Sequence, residues 1–177
     1  MNDPHQATVW TARLCALLWL VSLAIAIRTE RKAASCWWQI AWSAAGILLG
    51  VHILVAFHFE HAWSHAAAFA HTAQQSAATV GLNWGGGIYF NYAVLAVWLV
   101  DVLQLWTRHE ARLNSHTWRV FIDWFVAFMM INATVVFGPW GWKPIGAVVA
   151  AGLFIGLQFR KRVRSESGER FSDDRSR

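Results

Sequence analysis

The amino-acid sequence predicts an all-α, polytopic membrane helix bundle of about five transmembrane helices plus an amphipathic helix on the outer surface. Three observations carry this expectation. The 177 residues are 56% hydrophobic and only 14% charged, against about 25% charged in an ordinary soluble domain. The charges are clumped, leaving apolar runs of membrane-spanning length between them. Tryptophan is abundant, with 13 copies, and its amphipathic ring collects where hydrocarbon meets water.

A helix needs about 20 mostly apolar residues to cross a bilayer. The first such run covers residues 9–27 and ends at a basic loop, Arg28 to Lys32. Residues 14–27 also resemble the apolar core of a signal peptide, with Ala24-Ile25-Ala26 as a cleavage-like pattern. No basic segment precedes them and charges follow directly, so the run is read as a span. The second span covers 37–57. The third covers 88–106 and ends at Arg108-His109-Glu110-Ala111-Arg112. The fourth covers 118–137 and ends at Gly138-Pro139-Trp140. The fifth covers 144–159 and ends at Arg160-Lys161-Arg162.

Between the second and third spans, residues 58–80 contain no Pro or Gly and many Ala, the best helix former. They are expected as the outer amphipathic helix, continuous with span two or separate from it. Gly81 and Gly85 to Gly87 end it. Residues 1–162 thus form one transmembrane helical domain, and 163–177 a polar, disordered cytoplasmic tail.

Five spans put the loop after span one, the loop between spans three and four, and the tail on one side. These, with Arg119 at the start of span four, hold 13 of the 15 Lys and Arg residues. The positive-inside rule makes that side cytoplasmic, with the N-terminus outside a cell (inner) membrane. The net charge of +5 therefore reads as topology and contact with anionic lipid, and nucleic acid is not an expected partner. Cys15 and Cys36 fall near opposite membrane faces, too far apart for a disulfide.

The feature above this background is a histidine cluster. Five of eight histidines lie between residues 52 and 71: His52, His58, His61, His65 and His71. On one continuous helix at 100° per residue, with His58 at zero, His61 falls at about 300° and His65 at about 340°. All three would share one face. Neutral imidazole is a common ligand of zinc, copper and iron. The expected metal ligands are His58, His61 and His65, with His71 and Glu60 as further candidates. Glu60 falls near 200° and joins only if the helix breaks. His5 or water would complete the set. The other readings are a polar face that meets only water and head groups, and a proton-linked role. A haem ranks below a transition metal (Cu, Fe or Zn), because no second histidine lies at the depth of His52. His52 as a single axial ligand, with Arg13 beside a propionate, is the form haem would take. Arg13 otherwise snorkels to head groups. Membrane desaturases and hydroxylases carry several histidine boxes with His-His pairs. This chain has one cluster and no such pair, so that pattern is not present.

Four polar residues fall inside the spans: Asp101, Asp123, Asn91 and Asn132. An intramembrane carboxylate is costly and a functional candidate by default. The plainer expectation is ion pairing with Arg28, Arg108, Arg112 or Arg119. Asn91 and Asn132 would link the carboxylates to the outer histidines if they face the interior. Gly46-x3-Gly50 and Gly152-x3-Gly156 permit close helix packing. No phosphate-binding or nucleophile motif is present, and whether the chain is an enzyme is left open. The expected function is a small membrane metal or haem protein in redox or metal handling. The alternative is a non-catalytic accessory or assembly subunit of a larger membrane complex, with other subunits or a homo-oligomer as partners. A channel or transporter is a weaker third.

Overall fold

The computed structural model describes residues 4–28, 36–108 and 116–138. The chain folds as a helical membrane bundle, with no strand among the described residues. The helices are α1 (Pro4–Arg28), α2 (Cys36–Phe59), α3 (His65–Val80), α4 (Gly87–Thr107) and α5 (His116–Ile131), followed by a π-helical turn, Asn132–Val136. Four stretches are long and apolar enough to cross a bilayer: His5–Ala26, Cys36–Phe59, Gly87–Thr107 and Thr117–Val136. These helices bring the chain into contact with lipid, as a multi-pass protein. The expected fifth span and the tail lie outside the described residues.

The first span starts earlier than its hydropathy suggests. Pro4 opens α1, where a missing N–H costs nothing and the fixed φ favours the helix. The helix pairs antiparallel with α2 through small and aromatic residues: Cys15, Ala16, Trp19 and Ala26 on α1, Trp38, Ala41, Trp42 and Ala45 on α2, all buried. The Cys15 thiol donates to the Ala45 carbonyl at 3.4 Å. Cys15 is buried and Cys36 exposed, and both are free thiols.

The Gly46-x3-Gly50 pair lies on the side of α2 that meets α4. A Cβ at Gly46 would stand 3.0 Å from Cδ1 of Trp98, and one at Gly50 would stand 3.5 Å from Leu95. The missing Cβ at Gly46 is what admits the Trp98 ring, which is fully buried and tilted against Trp42 at 4.8 Å. On α5, Ile122, Val126 and Met130 are buried at four-residue spacing, while Phe121, Trp124 and Phe128 are exposed. Such a helix buries one stripe and offers the rest to lipid.

Residues 58–80 are not one helix. Span two runs on to Phe59, the chain turns through residues 60–64, and α3 starts at His65. Ala62 and Trp63 take left-handed φ values of 46° and 62°, a conformation that costs an L-residue about 1–2 kcal/mol each. Aromatic packing and capping offset that cost. Trp63 lies against Phe57 and His58, its N–H bonds to the Phe57 carbonyl at 2.9 Å, and Ser64 Oγ caps the amide of Ala67 at 3.2 Å. Gly81 ends α3 in the left-handed conformation, at φ 75°. Gly85 lies so close to the Phe69 carbonyl and ring that any side chain would collide. This brings α3 against the start of α4.

Candidate functional site

The break at residues 60–64 rearranges the histidines expected on one face. His58 stays in the last turn of α2, His61 lies in the turn, and His65 is the first residue of α3. The face predicted from a continuous helix therefore does not form. Among the described residues, no three His, Cys, Asp or Glu side chains converge on a metal position.

The histidines acquire individual partners instead. His58 Nδ1 accepts the Trp63 indole N–H at 3.2 Å. That fixes a neutral His58 with its proton on Nε2, leaving no lone pair for a metal in this arrangement. His65 Nδ1 meets the Tyr92 hydroxyl at 3.1 Å. His61 instead approaches His71, one turn and a half into α3, with ring centres 5.3 Å apart in an edge-to-face arrangement. Two imidazoles bound tetrahedrally to one ion, at about 2.1 Å per metal–nitrogen bond, place their ring centres about 5 Å apart. The observed separation suits a shared ion.

Glu60 sits at the same turn, as its wheel position allowed only if the helix broke. Its carboxylate pairs with His5 Nδ1 from the first turn of α1, at 2.9 Å. The hydrogen bond from His5 holds the Glu60 carboxyl below the usual carboxylate range, and partial burial works against it. His61 is shifted down from the ordinary histidine value, first by burial and then by the charge of His71, with Glu60 opposing. His61 thus stays neutral, and available to a metal, at lower pH than an ordinary histidine.

The intramembrane candidates divide. His52 is half-buried in the α1–α2 seam, its Nδ1 3.1 Å from Thr11 Oγ1. Arg13 lies over the Trp10 ring at 5.0 Å, consistent with a side chain reaching toward the interface. Asp101 is fully buried (0% exposed). Its two oxygens accept the indole N–H groups of Trp42 on α2 and Trp118 on α5, each at 2.8 Å. Asp123 and Asn132 are half-buried, with Asn132 opening the π-helical turn. Asn91 is exposed on α4, not interior, so it is no station between Asp101 and the histidines of the α2–α3 turn. Sequence reasoning missed Trp42, Trp118, Trp63 and Tyr92 as partners. Tryptophan abundance signals a membrane interface, and the indole N–H as a donor carries no signal of its own in the sequence.

No protein-family model matches this chain, and neither the curated proteins nor the solved structures give a significant match.

Proposed function

We propose that this chain is a small multi-pass membrane protein that binds a transition-metal ion at the turn between α2 and α3, in a metal-handling or redox role. His61 and His71 are the imidazole pair and water completes the coordination, while Glu60 stays with His5. The observation that carries this reading is the 5.3 Å approach of the two rings across the helix break. Support comes from the lowered His61 value, which favours the neutral, ligating imidazole. A two-imidazole set with open positions suits an exchangeable ion of copper, zinc or iron type. Haem ranks below it, since His52 has no second histidine opposite. The basic segments put the turn on the outer face of a cell membrane and the C-terminus in the cytoplasm, with five spans in all.

The test uses protein without a histidine tag, in mild detergent, titrated with Zn2+ and Cu2+ and assayed for bound metal. One ion should bind per chain, and His61→Ala and His71→Ala should each weaken binding at least tenfold, with His58→Ala and His65→Ala near wild type. Equal binding by all four variants, or none by wild type, would remove the reading.

A second reading, an accessory subunit of a larger membrane complex, is favoured by the fourth span. Its window is 17% buried within the chain, against 28% for each of the other three. It predicts stable co-purification of partners that is lost when Trp124 and Phe128 are replaced by Ala.

A further inference from the structure

The outer end of the α1–α2 seam carries a file of polar groups that the metal reading does not use. The helices run antiparallel, with His5 against Glu60, Thr11 against His52 and Cys15 against Ala45. His5, Thr8 and Thr11 follow at three-residue intervals, about 4.5 Å apart along the axis. Thr11 Oγ1 lies 3.0 Å from the carbonyls of both Ala7 and Thr8, where its single proton is engaged. Toward His52 it therefore acts as acceptor, and His52 Nδ1 carries the proton.

Thr8 sits between the two cross-helix pairs. Its hydroxyl oxygen is buried and makes no well-formed hydrogen bond. The Glu60 carboxylate is near enough for the hydroxyl to favour its charged form, and the Thr8 backbone lies against the His52 ring. A buried hydroxyl flanked by a carboxylate and an imidazole is a place where water enters when space opens. His5 and Glu60 form the outermost cross-helix pair of the seam. That pair has side chains 67% and 27% exposed, so water competes with it and it parts readily.

We propose that the His5–Glu60 pair gates a polar seam through which water reaches His52 from the outer surface, with the Thr8 hydroxyl as the station midway. When the pair separates, a water molecule bonds to Thr8 Oγ1 and the Glu60 carboxylate and passes inward to the His52–Thr11 pair. His52 then exchanges ring protons with the aqueous phase: the Nδ1 proton leaves to water, water returns one, and the net charge of the seam is unchanged. Glu60 acts here only as an acceptor that orients water. The seam stands independently of the metal reading.

The test is NMR measurement of water exchange at the ring N–H of His52, in 15N-histidine- and 15N-tryptophan-labelled full-length protein held in nanodiscs with EDTA. The indole N–H of Trp98, buried and without a hydrogen-bond partner in the α2–α4 core, is the dry reference. His52 should exchange at least tenfold faster than Trp98. Thr8→Val should slow His52 about tenfold, Thr8→Ser should leave it near wild type, and His5→Ala should speed it. Exchange at His52 as slow as at Trp98 overturns the proposal. So does a Thr8→Ser protein as slow as Thr8→Val, or a rate insensitive to both Thr8→Val and His5→Ala.

Discussion

Replacing Asp101 by Leu should destabilise the bundle by about 2–4 kcal/mol, although Leu is a better membrane residue. The carboxylate is fully buried and joins three helices, with one oxygen on Trp42 of α2 and the other on Trp118 of α5. A hydrogen bond to a charged group contributes about 1.5–3 kcal/mol in water-soluble proteins. Interhelical polar bonds in membranes average about 0.6 and reach about 1.7 kcal/mol, because the separated helices also find partners. The membrane values set the scale, and two such bonds at the upper end give about 3 kcal/mol. Removing a buried charge recovers part of this, since a hydrophobic replacement of similar volume is often neutral. The recovery is incomplete because the substitution leaves two indole donors in place, Trp42 fully enclosed, and each loses its acceptor. Asp101→Asn keeps one carbonyl oxygen but sets an amide N–H against the other indole N–H, so it should cost about 1–2 kcal/mol.

Trp118→Phe removes one bond and should cost about 1 kcal/mol. Combined with Asp101→Leu it should add less than its separate cost, because the shared bond is already gone. The assay is reversible unfolding of the detergent-solubilised protein by SDS titration, followed by circular dichroism, for the three single variants and the double. The predicted order of loss is Leu, then Asn, then Trp118→Phe. An Asp101→Leu protein as stable as wild type, or strict additivity with Trp118→Phe, would show that the carboxylate is not the link between these helices.

Two further outcomes follow from the same geometry. Gly46→Ala should lose about 1–3 kcal/mol, because its Cβ meets three atoms of the rigid Trp98 ring at 3.0–3.2 Å. Gly50→Ala, 3.5 Å from the flexible end of Leu95, should be neutral or gain up to about 1 kcal/mol of helix propensity in the same unfolding assay. Acidification should weaken the α2–α3 turn in two steps, read as pH-dependent melting with EDTA present. A histidine shifted down, such as His61, binds more protons unfolded than folded, so stability falls as pH drops below about 6.5 toward its folded value. Glu60, also shifted down, contributes stability above its unfolded value near 4.5 that is lost as pH falls through the lower folded value. His61→Gln should abolish the first step and leave the second, and melting unchanged across pH 7 to 3 would contradict both.

The first four spans were legible in the sequence because lipid imposes a simple condition. Every backbone polar group must be satisfied within its own segment, so apolar length alone identifies a helix. The packing face was partly legible too, since Gly46 and Gly50 leave room that only a close neighbour fills. The histidine site was harder to read. Its geometry depended on whether residues 58–65 stay helical, and neither Gly nor Pro marks the break. The turn forms because Trp63 gains contacts with Phe57 and His58 that outweigh two left-handed residues, a tertiary effect invisible to helix propensity. Ser64 was the available signal, as a side chain suited to cap α3.

The same blindness to tryptophan as a donor explains Asp101. Charge makes arginine the visible partner of a carboxylate inside a span, whereas the indoles of Trp42 on α2 and Trp118 on α5 become visible as partners only once the helices pack. Three helices meet at that carboxylate through neutral donors. The abundance of tryptophan thus has two physical causes: an apolar ring that lipid and core accept, and one N–H that can meet a buried acceptor without bringing a second charge into hydrocarbon.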